Sequence, residues 1–288
     1  MKHLVLVNPL SHGGRAGRRW REFAQLLPDA EFIALKSVDE GRDLARTASN
    51  CETIVACGGD GTINAIADGV MNNADTSLKF GVIYQGTSPD FCRFHGIPTE
   101  PRAACELLQT GTVRPIPVLQ ANGHCFFCSC NLGIGAMVAS RANRLRPVLG
   151  DTIGTLLALL SALLNSPSYD LTVNGETLSR CGHLLITRMP YIASGLKVSL
   201  PPLADDEFAV WSVRDMSFFH WLKLLPKLYR GEPCGEVRIY RSNCHISSSK
   251  AVSVEYDGDP HGSLPLEISF VPRRLNLIAP LQQEVPHA

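Results

Sequence analysis

Several features that mark other protein classes are lacking in this sequence. Charge of either sign is not in excess, since 27 Lys and Arg balance 27 Asp and Glu in 288 residues. The charge balance therefore gives no support to a nucleic-acid partner. The longest apolar run, residues 153–164, is shorter than the roughly 20 residues that a membrane span needs. The apolar residues 4–7 are too few for a secretory leader, so we expect a cytoplasmic protein.

Cysteine, by contrast, is plentiful, with ten residues. In a cytoplasmic chain we expect reduced thiols that pack mostly as small core side chains. The densest group is Cys125, Cys128 and Cys130, but a zinc site generally uses two or more such pairs with matching histidines. On a single strand Cys128 and Cys130 would share one face and Cys125 the other. The spacing therefore favours core packing over metal binding.

The first 110 residues alternate between strand-like and helix-like segments. The pattern predicts strands at 4–7, 31–35, 53–57 and 80–84, and helices at 18–27, 39–48, 63–71 and 100–109. Strands that alternate with helices indicate a doubly wound parallel sheet with helices on both faces. Such sheets bind ligands at the carboxyl ends of their strands. Three loops fall there, at residues 8–14, 58–62 and 85–90.

The pattern of predicted strands and helices changes after Pro117. Short strand-like runs alternate with turns, including the hairpin signal Asn174-Gly175, and two helices interrupt them at 151–165 and 218–229. This pattern indicates an antiparallel β domain of the sandwich type. We predict an α/β domain at 1–118, rejoined by about 276–288, and a β-sandwich domain at 119–275. The active site is expected in the cleft between the two domains, a common place for sites.

The loop "CGGDGTIN" has the physical properties of a phosphate site. Gly58, Gly59 and Gly61 permit positive φ and close backbone approach. Free N–H groups at the start of the following helix favour an anion, and Thr62 can cap that helix or bind a phosphate oxygen. The loop matches neither the Walker A pattern nor the Gly-x-Gly-x-x-Gly dinucleotide pattern.

Asp60 is the unexpected residue of this loop, because phosphate repels a carboxylate within about 4 Å. Three arrangements remove the conflict. Asp60 could hold Mg²⁺ against the phosphates, orient an attacking hydroxyl, or accept backbone N–H bonds and only shape the turn. The first two arrangements imply phosphoryl transfer from a nucleotide, in which positioning and metal electrostatics carry most of the catalysis.

Five segments together resemble the diacylglycerol kinase catalytic-domain family, whose superfamily includes sphingosine kinases, ceramide kinases and bacterial lipid kinases. "GGDGTIN" at 58–64 resembles its signature, although Gly-Gly-Asp-Gly also occurs in NAD kinases and 6-phosphofructokinases. The other four segments are "VLVNPLSHGG", "YQGTSPDFCR", "PLADDEFAVW" and "VEYDGDP". Their order and spacing are similar to those of a small bacterial lipid kinase across nearly the whole chain. The resemblance implies an α/β nucleotide-binding domain followed by a β-sandwich.

The resemblance also implies roles for individual residues. ATP would contact Asn8, Pro9, Leu10, Ser11, His12, Ser37, Gly58, Gly59, Asp60, Gly61, Thr62, Ile63, Asn64, Gly86 and Thr87. Asp206, with the backbone carbonyls of Leu203 and Phe208, would hold a structural Mg²⁺. Asp259 falls where the family has the glutamate that accepts the proton. Asp257 is its acidic neighbour and, with Asp60, would organise water or metal.

The chain departs from the family pattern at several of these places. Pro89 replaces an asparagine, Ala65 a glutamate and Glu207 a glycine, while an Asn-rich segment reads Arg188-Met189-Pro190-Tyr191. Asp259 is one methylene shorter than glutamate, and a base displaced by about 1 Å can lose orders of magnitude in rate. A second function therefore stays open, in which a degenerate member binds nucleotide or lipid without turnover. NAD kinase is a third.

The sequence thus predicts an ATP- and Mg²⁺-dependent lipid kinase. The acceptor stays open among diacylglycerol, phosphatidylglycerol, a sphingoid base and a long-chain alcohol. We expect peripheral contact with the inner membrane surface and no nucleic-acid partner, and the oligomeric state, a homodimer included, stays open. Two apolar segments could touch lipid or pack in the core, at residues 153–164 and 218–222.

Overall fold

The computed structural model describes residues 2–165, 167–192, 195–215 and 217–281. The chain divides into two compact units. The first is formed by the chain up to Val118 together with the chain from Pro272 onward, and the second is Leu119–Val271.

The first unit is a six-stranded sheet flanked by helices. Its sheet order is β2-β1-β3-β4-β19-β5, with all neighbours parallel except the antiparallel pair β19 and β5. This confirms the predicted doubly wound sheet. Its elements are β1 (His3–Val7), α1 (Ser11–Ala24), β2 (Ala30–Ala34), α2 (Val38–Thr47), β3 (Thr53–Gly58), α3 (Asp60–Met71), β4 (Lys79–Tyr84), α4 (Asp90–His95), α5 (Pro101–Thr110), β5 (Thr112–Ile116) and β19 (Leu275–Ala279).

Buried strands hold the two helical layers of this unit together. Every residue of β1 and of β3 is buried, as expected for strands covered on both faces. Val5, Val7 and Val55 pack with Phe23 of α1 and Leu108 of α5. Because strand side chains alternate, Leu4, Leu6 and Ile54 point to the opposite face, where α2 and α3 pack against each other.

Three elements of the first unit differ from the prediction. α1 begins at Ser11 rather than near residue 18. Its residues 12–14 have left-handed φ, so the segment between β1 and the regular part of α1 is a tight turn and not an open loop. α4 and β5 were not predicted, because a helix of six residues and an edge strand that contains Pro115 carry little periodicity.

The second unit is a curled antiparallel sheet, as predicted. Its sheet order is β17-β16-β8-β10-β9-β15-β18-β6-β7, with β13 pairing β10 and β14, while β11 and β12 pair separately. Its strands are β6 (Leu119–Ala121), β7 (His124–Phe126), β8 (Ser129–Gly133), β9 (Tyr169–Val173), β10 (Glu176–Thr187), β11 (Tyr191–Ile192), β12 (Leu196–Lys197), β13 (Phe208–Arg214), β14 (Glu236–Tyr240), β15 (Cys244–Ser248), β16 (Ser253–Tyr256), β17 (Asp259–Ser263) and β18 (Leu266–Phe270).

Two helices belong to this unit, α6 (Ile134–Leu164) and α7 (Phe218–Arg230). The sequence pattern predicted only the second half of α6, because residues 134–149 mix polar and apolar residues without a clear period. Gly150, which has φ 77°, then interrupts the helix between the two halves. α6 and α7 pack against each other through Leu159, Ala162 and Leu163 on one side and Phe218 and Trp221 on the other. Among the residues that the structure describes, neither helix nor any other is long and apolar enough to cross a membrane.

The predicted single strand through Cys125, Cys128 and Cys130 is wrong. Cys125 lies on β7, Cys128 lies in the following turn, and Cys130 lies on β8. β7 pairs with β6, while β8 pairs with β10 and β16. The ten cysteines, all within the described residues, form no disulfide, and six of them are buried to 2% exposure or less. They therefore pack mainly as core side chains.

Candidate active site

Three loops of the first unit meet at one edge of its sheet. β1, β3 and β4 are parallel neighbours, so the segments that follow Val7, Gly58 and Tyr84 leave the sheet on the same side. The loops at 8–14, 58–62 and 85–90 therefore lie side by side. This edge is where doubly wound sheets bind their ligands.

The glycine loop joins β3 to the N-terminus of α3. Gly59 is the N-cap residue, and its carbonyl accepts the N–H groups of Thr62 and Ile63 at 3.0 Å. A Cβ at Gly59 would lie 3.3 Å from the Cα of Gly86, so two loops approach each other backbone to backbone. A Cβ at Gly61 would meet no atom within 4 Å. Space is therefore open beside the first turn of α3, where free N–H groups favour an anion.

Hydrogen bonds connect the first loop to the glycine loop. The side-chain amide of Asn8 donates to the hydroxyl of Thr62 at 2.8 Å, and the Asn8 N–H donates to the Cys57 carbonyl at 2.9 Å. The N–H of Gly59 donates to the Ser11 hydroxyl at 3.4 Å. Four residues predicted as nucleotide contacts therefore belong to one network.

Asp60 lies in the first turn of α3 and pairs with a residue that the sequence analysis missed. The hydroxyl of Tyr84 donates to the Asp60 carboxylate at 3.4 Å. Burial, and then the charge of Asp60, raise the pKa of Tyr84 far above its usual value, so the phenol stays protonated and remains a donor. The only sequence signal was that Tyr84 stands in "YQGTSPDFCR" where the family pattern has proline.

A cavity of about 300 Å³ opens beside the third loop. It is lined by His12, Tyr84, Gln85, Gly86, Pro89, Thr99 and Pro101. Gln85 was not predicted as a site residue, and its N–H donates to the Gly58 carbonyl at 2.7 Å. The cavity therefore adjoins the glycine loop.

The remaining predicted nucleotide contacts take different places in the first unit. Ser37 follows β2 and caps α2, where its hydroxyl accepts the Glu40 N–H at 3.1 Å. Ile63 and Asn64 are buried, so Ile63 could offer a ligand only its backbone. Pro9 is partly buried, and the side chains of Leu10, His12, Ser37 and Thr87 are exposed.

In the second unit, Asp257 and Gly258 form the two-residue turn between β16 and β17. Their φ values are 51° and 98°, and Tyr256 pairs with Asp259 across the turn, which matches the preference of Asp-Gly for this turn type. The Asp257 carboxylate accepts the N–H groups of Phe127, Cys128 and Ser129 at 2.8, 2.8 and 2.9 Å. Asp257 therefore fastens residues 127–129 to the hairpin.

A buried acid supports the same turn. Glu255 is 4% exposed, and its carboxyl accepts the Asn131 amide at 2.7 Å and the N–H of Gly258. Burial, the largest cause, raises the pKa of Glu255 to about 8. The sequence analysis did not select Glu255, because a single acid on a strand carries no spacing signal.

Asp259 differs from both of these acids. It begins β17, all of whose residues are exposed. The carbonyl of the preceding Gly258 accepts the Asn143 amide from α6 at 3.2 Å. The structure thus presents Asp259 to solvent on a hairpin that Asp257, Glu255 and Asn143 hold in place.

Comparison with known proteins decides the family. Residues 2–121 match the family described as "Diacylglycerol kinase catalytic domain", and residues 128–279 match the one described as "YegS C-terminal NAD kinase beta sandwich-like domain". The second match covers more than half of the chain, which therefore belongs to the family of this C-terminal domain and carries a match to the diacylglycerol kinase catalytic domain before it.

Relatives of this family span most of the chain at low identity. A protein of Bacillus subtilis named "Diacylglycerol kinase" is 25% identical over 243 residues, covering 81% of this chain and 79% of its own. A protein of Enterobacter sp. (strain 638) named "Probable lipid kinase YegS-like" is 25% identical over 291 residues, covering 96% and 95%. The crystal structure of a diacylglycerol kinase from Bacillus anthracis has a TM-score of 0.77 at 20% identity, covering 96% of each chain. That likeness shows a shared fold.

Two departures from the family pattern lie in the first unit. Ala65, which stands where the diacylglycerol kinase family has a glutamate, is 4% exposed and packs within α3. Pro89 is the N-cap residue of α4, and its carbonyl accepts the N–H of Arg93 at 2.8 Å. Ala65 is therefore accommodated by packing in α3, and Pro89 by its position at the start of α4.

The family's metal loop, residues 203–208, does not fit a divalent cation in this chain. Asp206 is exposed, and the Phe208 side chain is buried at the start of β13. Nη1 of Arg188 donates to the carbonyl oxygens of Ala204 and Asp205 at 2.9 and 3.3 Å, and also to that of Glu207. A positive charge of the protein is thus bound to three carbonyl oxygens of this loop. Two of them belong to the residues next in sequence to Leu203 and Phe208, whose carbonyls the resemblance assigns to Mg²⁺, and the guanidinium would repel a divalent cation bound there.

Proposed function

We propose that this chain is an ATP-dependent lipid kinase that transfers the γ-phosphoryl group to a lipid hydroxyl. The observation that carries the proposal is the meeting of three loops around the N-terminus of α3. Asn8, Thr62 and Gly59 are joined there by hydrogen bonds, and Gly61 leaves the first turn of the helix open. Family membership supports the same reaction class.

The phosphates of ATP would bind at the first turn of α3. Free N–H groups there and the positive end of the helix dipole favour an anion. The cavity bounded by Gln85, Gly86 and Pro89 adjoins this turn, and it would take the nucleoside part.

Asp60 fits a role beside Mg²⁺, because its carboxylate lies in the same turn as the phosphate site and oxygen ligands suit a hard cation. When bound, Mg²⁺ neutralises charge on the phosphates. The Tyr84 hydroxyl orients the Asp60 carboxylate. Asp60 would thus serve the reaction by holding the nucleotide in place.

Asp259 is the proposed proton acceptor. In the transfer, a bond forms between the lipid oxygen and the γ-phosphorus, and the bond from that phosphorus to the ADP oxygen breaks. The hydroxyl proton moves to the Asp259 carboxylate. Asp257 and Glu255 would act through Asp259, because their carboxyl oxygens are used to hold the turn.

A lipid acceptor requires contact with a membrane, and α6 and α7 offer a surface for it. One face of α6 carries apolar side chains that are 40–69% exposed, at Ile153, Leu156, Leu157, Leu160 and Leu164. Their spacing of three or four residues makes a single stripe. On α7, Phe219, Leu222 and Tyr229 are 73%, 45% and 74% exposed. We call these eight side chains the apolar stripe.

The charge beside the apolar stripe favours an anionic bilayer as its occupant. Helix α7 contains no acidic residue, and its Lys223, Lys227 and Arg230 are exposed. Apolar side chains flanked by cations are typical of helices that lie in the interface of anionic membranes. The lipid acceptor would be taken from such a membrane.

A transfer assay tests the proposal. Labelled ATP is incubated with vesicles that contain diacylglycerol, phosphatidylglycerol, a sphingoid base or a long-chain alcohol, and with NAD as a soluble acceptor. We expect transfer to a lipid, and loss of it in Asp60→Asn and Asp259→Asn, but not in the exposed control Asp29→Asn.

Three results would contradict the proposal. Nucleotide binding without transfer to any acceptor would favour the degenerate member. Transfer to NAD alone would favour NAD kinase. Full activity in both site variants would show that the site lies elsewhere.

A further inference from the structure

The loop at residues 203–208 is closed by two arginines. Arg188 immediately follows β10, and its guanidinium reaches across to three backbone carbonyl oxygens of the loop, those of Ala204, Asp205 and Glu207. The guanidinium carbon also lies 5.6 Å from the ring centre of Phe270, a cation–π distance. The guanidinium is therefore held between an aromatic ring and a set of carbonyl oxygens.

The Glu207 side chain also holds the loop closed, through a hydrogen bond within the loop. Its carboxylate accepts the N–H of Ala204 at 2.9 Å, and the N–H of Glu207 donates back to the Ala204 carbonyl at 3.0 Å. Arg241, which immediately follows β14, lies with Nη2 at 2.7 Å and Nε at 2.8 Å from the same carboxylate oxygen. The side chain of Glu207 is 14% exposed and that of Arg241 is 71% exposed, so this contact lies at the surface.

These residues are departures from the family pattern. Glu207 replaces a glycine of the metal loop, and Arg188 lies in the segment that is rich in asparagine in relatives. The two side chains act on the same loop, Arg188 through backbone carbonyl oxygens and Glu207 through its carboxylate.

Electrostatics decides between a guanidinium and a metal ion here. Three carbonyl oxygens of the loop bind one cation, and Arg188 already supplies it without the loss of a free ion's entropy. A divalent cation within about 4 Å of that guanidinium would meet strong repulsion. Two of the carbonyls that Arg188 binds belong to residues adjacent to the predicted ligands Leu203 and Phe208, so the guanidinium and a metal ion would compete for the same short loop.

We propose that Arg188 replaces the structural divalent cation of this loop. The loop is then held closed by charges that belong to the chain, and its folding does not depend on Mg²⁺. Any requirement for Mg²⁺ in turnover would belong to the nucleotide site alone. This inference does not rest on the proposed function, since it concerns the stability of the second unit.

The test compares thermal unfolding with and without divalent cations, in the absence of nucleotide. We expect the wild-type melting temperature to be the same in millimolar Mg²⁺, millimolar Ca²⁺ and excess EDTA. Arg188→Met keeps most of the stem but removes the guanidinium, and should lower the melting temperature by about 5 °C. Arg214→Met, which removes an exposed arginine paired with Glu236 at 3.2 Å, is the matched control and should change it by about 1 °C or less.

Two results would overturn the inference. The first is a wild-type melting temperature that rises with Mg²⁺ or Ca²⁺ and no longer does so in Asp206→Asn. The second is an Arg188→Met protein as stable as the wild type. If Arg188→Met does not fold, metal analysis of the wild type decides: one equivalent of tightly bound Mg²⁺ or Ca²⁺ contradicts the inference, and none supports it.

Discussion

Asn8 and Thr62 are 54 positions apart in sequence, yet the Asn8 amide donates to the Thr62 hydroxyl at 2.8 Å. This bond joins the end of β1 to the first turn of α3. It fixes the position of the Asn8 loop relative to the open N-terminus of the helix. The two residues therefore shape the proposed phosphate site together.

Removal of this bond should weaken nucleotide binding more than folding. We expect Asn8→Ala to lower the affinity for ATP by about fivefold, because one neutral hydrogen bond contributes about 1 kcal/mol. Isothermal titration with a non-hydrolysable ATP analogue measures it. Asn72→Ala, at the far end of α3, is the control and should bind normally. Equal affinities in both variants would contradict the assignment.

Two glycines of the loop should respond in opposite ways to alanine. A Cβ at Gly58 would lie 2.6 Å from the Cβ of Thr62, whereas a Cβ at Gly61 meets nothing within 4 Å. Gly58→Ala should therefore destabilise the chain by about 1–3 kcal/mol through overpacking. Gly61→Ala should leave stability unchanged or raise it by up to about 1 kcal/mol, while a methyl group in the open space weakens ATP binding. Urea unfolding and titration separate the two effects.

Substitutions of the two acids in the Asp257-Gly258-Asp259 turn should affect different properties, stability for Asp257 and activity for Asp259. Asp257→Ala removes an acceptor of three backbone N–H groups and should cost about 3 kcal/mol of unfolding free energy. Asp259→Asn changes an exposed side chain, so stability should hold while lipid phosphorylation is lost. Urea unfolding of each variant beside the transfer assay checks this. A fully stable Asp257→Ala would refute the anchoring role.

Glu255 should make stability depend on pH. Burial raises its pKa in the folded chain to about 8, from a usual value of 4.5. Between these values the folded chain holds a proton that the unfolded chain has released, so stability falls as pH rises through this window. Glu255→Gln cannot release a proton and should lack this part of the decline. Between about pH 5 and pH 9, the free energy of unfolding of the wild type should fall by roughly 2 kcal/mol or more relative to that of the variant. Urea unfolding at a series of pH values measures this, and parallel profiles for the two proteins would exclude a raised pKa of Glu255.

The apolar stripe should control membrane binding. Replacement of Leu156 and Leu160 together by glutamate places two charges on the exposed face of α6, and should abolish flotation with vesicles that contain phosphatidylglycerol. Leu281→Glu changes a leucine that is 78% exposed in the other unit, and should float like wild type. Binding to neutral vesicles should be weaker than to anionic ones. A stable dimer that covers the stripe in solution, seen by light scattering, would contradict the proposal.

Local patterns carried most of the fold prediction. Strands β1, β3 and β4 are short apolar runs that end at glycine or asparagine turns, and residues near these turns form the hydrogen-bond network around α3. The first half of α6 was not predicted as a helix because its polar and apolar residues do not separate into two faces. The pair Asp257-Gly258 is also a typical two-residue hairpin turn, but the sequence analysis considered it only as part of the motif that contains Asp259.

Contacts between distant residues could not be read in the same way. Arg188 and Glu207 were recognised as departures, but their effect depends on Arg241 and Phe270, which only the sheet brings near. Tyr84 was assigned to a strand end, and its bond to Asp60 follows from the register of β3 and β4. Single positions became informative only when the pairing of the strands was known.

The position of β19 in the sheet affects how the chain folds while the ribosome synthesises it. β19 lies between β4 and β5, and it is made after the whole of the second unit. At the usual speed of synthesis the edge of β4 therefore waits unpaired for roughly ten to thirty seconds. During that time β5 has no partner strand, and the buried face of the first sheet is incomplete. The nucleotide-binding half is the first to be synthesised and the last to be finished, so a chain truncated before Leu275 should be a client for chaperones.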